Sequence, residues 1–74
     1  MAQEEFAHSI KILFGHNLRI ARLRAGLTRR EVAARAGIAV TSLIQIESGT
    51  TDPDLCLVWM LAKVVGRAAS DLLT

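Results

Sequence analysis

The chain has 74 residues, 51% of them hydrophobic, and one cysteine, so we expect a single small domain without an internal disulfide, typical of a reducing cytoplasm. It contains neither an apolar run of the roughly 18 residues that a membrane span needs nor the basic start of a signal peptide, which argues against membrane and secreted proteins. The formal net charge is only +2, but seven of the nine basic residues lie between positions 8 and 46, with Glu31 as the single acid, which indicates a polyanionic partner.

Apolar spacing predicts a first helix over about residues 4–25. Its buried stripe is expected from the apolar residues that recur every three or four positions, namely Phe6, Ile10, Phe14, Leu18, Ala21 and Ala25. Gly15 interrupts this helix, and it is either a tolerated weak point or the place where another helix approaches closely. Gly26 is expected to end the helix in left-handed backbone.

A second helix is predicted over about residues 29–36, where Thr28 and Glu31 have the spacing of a capping box. Gly37 ends it, and a third helix follows over about residues 40–47. Leu43 and Ile46 should face the core from this third helix. Val40 and Ile44, four residues apart, are expected to point outward together.

Asp54 is expected to cap a fourth helix over about residues 55–65, and a short fifth helix covers about residues 69–73. The buried stripe of the fourth helix is expected from Leu55, Val58, Leu61, Ala62 and Val65. No segment has the alternating pattern of a strand. We therefore expect an all-α, compact five-helix bundle that forms one domain over residues 1–74.

The segment of residues 29–48 resembles the helix-turn-helix of the lambda repressor/Cro-like (XRE-type) DNA-binding family. The resemblance rests on the spacing of Val32, Ala33, Gly37, Ile38, Leu43, Ile46 and Glu47. It extends over about residues 14–73, and it implies that the third helix enters the major groove of double-stranded DNA while the second helix crosses the phosphate backbone.

The same resemblance implies a role for individual side chains. Base contacts are expected from the positions of the third helix that match the family's motif, Val40, Thr41, Ser42, Ile44 and Gln45. Phosphate contacts are expected from Arg29, Arg30, Arg19, Arg35 and Ser48. Arg22 of the first helix and Glu47 are expected to form a structural ion pair that orients the third helix.

The function implied is that of a bacterial or phage transcriptional regulator, a homodimer on a two-fold operator with half-sites about 34 Å apart. The dimer interface is expected at apolar residues left partly uncovered near the end of the chain, Trp59, Met60, Val64 and Leu73. An alternative stays open because the third helix is unusually apolar. The chain would then keep the fold but dock another transcription factor, as an antiactivator does, and an antitoxin role is equally compatible with the sequence.

No catalytic site, cofactor or small-molecule ligand is predicted. His8 and His16 lie eight positions apart on one predicted helix, and Cys56 is distant from both, so their spacing does not suit a metal ion. No serine or cysteine has an evident general base nearby, so we expect a binding protein and not an enzyme.

Overall fold

The computed structural model describes residues 2–74, with side chains from Glu4 onward, so Met1 of the predicted domain lies outside the described residues. The elements are four α-helices, α1 (Ala2–Arg24), α2 (Arg29–Ala36), α3 (Val40–Glu47) and α4 (Leu55–Val64), and a 3-10 helix, η1 (Ala69–Leu73). The described part of the chain contains no strand, so the all-α prediction is confirmed.

The predicted count of five α-helices is wrong, because the last element is a 3-10 helix of five residues. Within this 3-10 helix, the Asp71 amide donates to the carbonyl of Ala68, three residues earlier, at 3.0 Å. Helices of this tighter kind, with bonds between residues three apart, occur in short pieces at helix termini and as connectors. The Asn17 side chain of α1 donates to the Leu72 carbonyl at 3.0 Å and so ties η1 to α1.

The predicted local signals at the ends of α2 are confirmed. The Thr28 hydroxyl accepts from the Glu31 amide at 3.1 Å, and the Glu31 carboxylate accepts from the Thr28 amide at 2.9 Å. At the other end, Gly37 has φ of 72°, a left-handed conformation that strains any residue with a Cβ. The Ile38 amide donates back to the Ala33 carbonyl at 3.0 Å, which closes α2 and turns the chain into α3.

The core lies where α1 packs on α3 and η1, α2 packs on α3 and α4, and α4 packs on η1. It consists of aliphatic residues and one phenylalanine: Phe14, Leu18, Ala21, Val32, Ala33, Leu43, Ile46, Val58, Leu61, Ala62, Val65, Ala69 and Leu72. All five elements contribute residues to this cluster. The first turns of α1 do not take part, because residues 4–9 are exposed throughout.

Three residues assigned to buried stripes are instead exposed, namely Phe6, Ala25 and Leu55. Phe6 is 68% exposed because α1, at 23 residues, is about 34 Å long and extends past the shorter helices that cover it. Leu55 is 72% exposed because it is the first residue of α4, at the edge of the bundle. Ala25 lies beyond the end of α1, in the turn to α2.

Gly15 marks a close approach between α1 and α3, which decides between the two explanations that the sequence left open. The residue is buried, and a Cβ on it would collide with the carbonyl oxygens of Ile46 and Glu47. The two segments also meet one turn earlier in α1, where a Cβ on Gly49, just after α3, would lie 2.9 Å from the Cγ1 atom of Ile12. The end of α3 therefore rests directly on the backbone of α1.

We expect Gly15→Ala to destabilise the fold, although alanine favours a helix by about 1 kcal/mol over glycine. Overpacking typically costs about 1–3 kcal/mol, and we expect the upper end because the added methyl group meets backbone atoms, which cannot rotate away. The net loss of stability should therefore be about 2 kcal/mol. Urea denaturation measures it, with His16→Ala at the adjacent exposed position as the control. A Gly15→Ala protein as stable as the wild type would contradict the close approach.

Candidate nucleic-acid interface

The outer face of α3 carries a stripe of exposed side chains, spaced as neighbours on one side of a helix. Its members, here called the α3 stripe, are Thr41, Ile44, Gln45 and Ser48, the last being the C-cap residue. Ser42, also expected to contact bases, is half-buried at the side of the stripe. Leu43 and Ile46 are buried on the opposite face and fix α3 to the core, as predicted.

Val40 does not accompany Ile44 on the outer face, so the expectation that the two point outward together is wrong. Val40 is half-buried and packs against the core cluster. The reason is its spacing from Leu43, three residues later and fully buried, which places Val40 on the inner side of the first turn of α3. Only part of its side chain is left for contact with a ligand.

The turn after α3 is held by side chains that bond to the backbone. The hydroxyls of Ser48 and Thr50 both donate to the Gln45 carbonyl at 3.0 Å, and their oxygens lie 3.1 Å apart. Ser48, expected to contact phosphate, therefore also caps α3. The part played by Thr50 was not predicted, although a hydroxyl residue one position after a helix-ending glycine is a recognisable signal.

Four arginines expected at phosphates are exposed. They are Arg19 on α1 and Arg29, Arg30 and Arg35 on α2. Arg29 and Arg30 occupy the first turn of α2, where unpaired backbone amides add positive potential. Arg29 differs from the others in that its Nε atom donates to the Glu47 carboxylate at 3.0 Å. Its side chain is 43% exposed, so one edge faces the protein and the other faces solvent.

Arg22 and Glu47 lie together in the interior, as the family resemblance implied. Arg22 Nε donates to Glu47 Oε2 at 2.7 Å, and its Nη2 atom is 3.4 Å from Oε1. The Arg22 Nη1 atom donates to the Leu27 carbonyl at 3.0 Å. Both side chains are almost fully buried, and no buried side-chain nitrogen or oxygen among the described residues lacks a partner. Glu47 thus joins α1, α2 and α3 through its two carboxylate oxygens.

The capping box also sets the electrostatics at the start of α2. Hydrogen bonds from the backbone and the hydroxyl of Thr28 lower the pKa of Glu31, which outweighs the opposing effect of burial, and the charge of Arg35 adds a smaller lowering. The carboxylate therefore stays ionised, and its charge offsets part of that of Arg35, one helical turn later.

Comparison with known proteins identifies the family. The profile of a family described as "Helix-turn-helix" matches residues 18–72, which include α2, the turn at Gly37 and α3. The chain belongs to the XRE-type helix-turn-helix family. An uncharacterized HTH-type transcriptional regulator from Sinorhizobium fredii is 34% identical over 62 residues, covering 84% of this chain and 80% of the relative. Another, from Methanothermobacter thermautotrophicus, is 36% identical over 50 residues, covering 68% of this chain and 72% of the relative.

Solved structures of XRE-type proteins share the fold. The clp gene regulator ClgR from C. glutamicum superposes with a TM-score of 0.84 at 25% identity, covering 86% of this chain and 82% of ClgR. The restriction-modification controller protein C.AhdI from Aeromonas hydrophila superposes with a TM-score of 0.78 at 24% identity, covering 82% and 92%. The four-helix arrangement with its central helix-turn-helix is therefore that of the family.

Within residues 2–74, no helix combines the length and the hydropathy required to cross a lipid bilayer. No group of three or more histidine, cysteine, aspartate or glutamate side chains in the described part of the chain is arranged to hold a metal ion.

We expect Glu47→Ala to lower the free energy of unfolding by about 3–5 kcal/mol, because it leaves the buried Arg22 guanidinium without a counter-charge. Arg22→Ala should cost less, since Glu47 keeps Arg29 as a partner. Arg30→Ala, which removes an exposed charge, is the control. Equal stability of all three variants in urea denaturation would show that the ion pair does not support the fold.

The pKa of Glu31 gives a pH-dependent prediction. The pKa of Glu31 is lower in the folded than in the unfolded chain. The ionised carboxylate therefore stabilises the fold at pH values above the usual carboxylate pKa, and this stabilisation is lost as the pH falls through the pKa of the folded state. The difference in melting temperature between wild type and Glu31→Gln should therefore shrink on acidification. Asp52→Asn, at an exposed loop position, serves as control. A difference that is independent of pH would contradict a charge-dependent capping box.

Proposed function

We propose that this protein is a sequence-specific DNA-binding transcriptional regulator that acts as a homodimer on a two-fold operator. The observation that carries the proposal is the α3 stripe, exposed on the third helix of an XRE-type helix-turn-helix and flanked by arginines of α2. A bacterial or phage origin and a cytoplasmic location belong to the same proposal. The HTH-type regulators found as relatives support it.

Base contacts would come from the α3 stripe and its edge. Gln45 has the amide that pairs with the N6 and N7 atoms of adenine, and Thr41 and Ile44 have methyl groups for contact with thymine. Ser42 and Val40, both half-buried, would add contacts at the side of the groove. These groups favour A·T base pairs over G·C pairs, because the described part of α3 has no arginine or lysine to bind guanine.

Phosphate contacts would come from the exposed arginines of α2 and α1. Arg29 and Arg30 are at the start of α2, the helix that crosses the DNA backbone in this family, and Arg35 is in its last turn. Arg19 of α1 would extend this contact. The Ser48 hydroxyl would join it by turning its single proton from the Gln45 carbonyl to a phosphate oxygen, while Thr50 keeps its own bond to that carbonyl. Exposed guanidinium groups suit phosphate because they donate two parallel hydrogen bonds.

The homodimer would form through α4 and η1. An apolar groove there is lined by Leu55, Cys56, Trp59, Met60, Ala62 and Ala69, with Lys63, Arg67 and Ala68 at its sides. Trp59 is 63% exposed, which is a large apolar surface to leave in water. A second copy is the occupant we propose, because a two-fold interface needs only one self-complementary patch and a two-fold operator needs two copies.

Val64 and Leu73 would lie beside this interface. Val64 is half-buried and packs on the core, and Leu73 is exposed at the end of η1. Neither lines the apolar groove itself. We therefore assign the centre of the interface to Trp59 and Met60 and its edge to the other two residues.

A protein-binding function is the second candidate, and the exposed Ile44 favours it. An isoleucine in the middle of the α3 stripe gives a modest contact with thymine but a strong anchor in a protein groove. Such a regulator would bind another transcription factor instead of DNA. Selection from random-sequence DNA across a salt series separates the two candidates: enriched, salt-dependent binding supports the first, and no binding at low salt supports the second.

We expect substitutions at the two kinds of DNA contact to have different effects. Arg29→Ala should weaken binding to all sequences alike and reduce the slope of log K against log salt by about one. Gln45→Ala should instead change the preferred sequence, with about 1–3 kcal/mol lost at one base pair. Titration of selected duplexes at several salt concentrations measures both quantities.

The control for this experiment is Arg24→Ala, because Arg24 lines the cleft between α1 and η1 beside Asn17 and Leu72. It should leave the salt slope and the preferred sequence unchanged. If Gln45→Ala leaves the preferred sequence unchanged, Gln45 is not a base contact. If Arg24→Ala and Arg29→Ala reduce the slope equally, the contact is diffuse attraction by net charge.

We expect Trp59→Ala to weaken self-association by at least about thirtyfold, as at the centre of other interfaces. Sedimentation of the wild type and the variant measures it. Leu23→Ala is the matched control, because Leu23 is a large apolar residue that is 54% exposed on α1. A wild type that is monomeric at high micromolar concentration, or a Leu23→Ala protein that dissociates as much as Trp59→Ala, would contradict this interface.

A further inference from the structure

Arg29 is anchored at a buried point, unlike an ordinary surface arginine. Its Nε atom donates to Glu47 Oε1 at 3.0 Å. The Glu47 side chain is only 2% exposed, while that of Arg29 is 43% exposed. Glu47 is in turn held by the buried Arg22 through a 2.7 Å bond. The Nε atom of Arg29, at the inner edge of its guanidinium group, is thereby fixed relative to the interior of the protein.

This anchoring leaves most of the hydrogen-bonding capacity of Arg29 for an outside ligand. A guanidinium group has five N–H donors, and the bond to Glu47 uses the one on Nε. The remaining four are on the two terminal nitrogens, which form the fork that binds two oxygens of one phosphate. An arginine held through Nε is therefore already shaped for a bidentate contact.

The charges around Glu47 favour an added anion. Two arginines, Arg22 and Arg29, share one carboxylate, so the three side chains together carry one unit of excess positive charge. Arg22 is almost fully buried, so the excess is accessible only at the exposed edge of Arg29. A phosphate that binds there completes the charge balance without displacing Glu47.

We propose that Glu47 is a positioning residue for DNA binding, which holds Arg29 so that its terminal nitrogens bind a phosphodiester of the DNA backbone. The inference rests on the proposed function. Glu47 is the last residue of α3, so the same carboxylate ties the phosphate contact at α2 to the helix that contacts bases. It sets the register between the two kinds of contact, and it lowers the entropic cost of ordering the Arg29 side chain.

A double-mutant cycle tests this coupling. Arg29→Gln, Glu47→Gln and the double variant are titrated with one short random-sequence duplex at several salt concentrations, and urea denaturation confirms that each is folded. Glutamine at position 47 keeps an oxygen that accepts from Arg22. We expect each single variant to weaken DNA binding, and Glu47→Gln to have little further effect once Arg29 is absent. The coupling should be at least about twofold, as for residues in contact.

Arg29→Lys provides a second test that leaves the pair of Arg22 and Glu47 intact. Lysine keeps the positive charge, but its single ammonium group has no separate inner and outer edge. We expect Arg29→Lys to lose most of the affinity that Arg29→Gln loses. Arg24→Lys, in the cleft between α1 and η1 and outside the proposed interface, should keep wild-type affinity. If Arg29→Lys also keeps wild-type affinity, charge alone is sufficient and the positioning role is wrong.

The outcomes separate this inference from the proposed function. If Arg29→Gln reduces the salt slope but the effects of the two substitutions are additive, the proposed DNA binding is retained. The positioning role of Glu47 is then wrong. A wild type that binds no duplex even at low salt would reject both. A coupled cycle with a reduced slope supports both, and a merely structural Glu47 would instead weaken binding by the same factor with or without Arg29.

Discussion

The buried carboxylate of Glu47 is the interaction on which the arrangement of the helices depends. It ends α3, and it accepts from Arg22 of α1 and from Arg29 at the start of α2. A buried ionised group is costly unless it is paired and hydrogen-bonded, so conformations that separate these helices leave a charge without partners. Because desolvation offsets much of the attraction, the main effect of this cluster is on geometry. It selects one orientation of α3 among those that the aliphatic core would accept.

A second constraint acts at the same place through the backbone. Gly15 lets the carbonyl oxygens of Ile46 and Glu47 approach α1, and Arg22 lies two turns further along the same helix. One face of α1 therefore holds the end of α3 by close packing and by an ion pair. This support is needed because a helix of eight residues is not stable in isolation. Together with α2, which also packs on α3, α1 therefore fixes the direction of α3.

Local signals in the sequence were sufficient for the helix ends. The capping box at Thr28, the left-handed Gly37 and the cap at Asp54 each involve residues close in the chain, and all three are present. The periodicity of apolar residues identified the inner face of each helix but not how far its neighbours extend. Phe6 and Leu55 have the right spacing for the core, yet they lie where nothing covers them. The length of the partner helices is a property of the whole fold.

The bond between Arg29 and Glu47 could not be derived from spacing, because it joins residues 18 positions apart in the chain. A signal was nevertheless present. Glu47 is the only acidic residue between positions 32 and 51, and it directly follows the segment of residues 8–46 that holds seven of the nine basic residues. Family resemblance assigned it to Arg22, which is correct, but a carboxylate has two oxygens and Arg22 leaves one of them able to accept again. Which side chain donates to this second oxygen depends on distances in the folded protein, and these cannot be read from the spacing of residues in the chain.

The small exposed surface of α3 determines what kind of regulator this can be. Packing and the ion-pair cluster occupy five of its eight residues wholly or partly, so Thr41, Ile44 and Gln45 are the residues of α3 that are exposed. With about 1–3 kcal/mol for each good base contact, one copy discriminates weakly between sequences. In the proposed dimer, two copies in fixed relation would add their contributions, and the proposed phosphate contact of Arg29 would prevent the few base contacts from being lost to small shifts in register. A helix with few exposed polar side chains for base contacts therefore depends more on being held firmly by the rest of the fold than a helix with many.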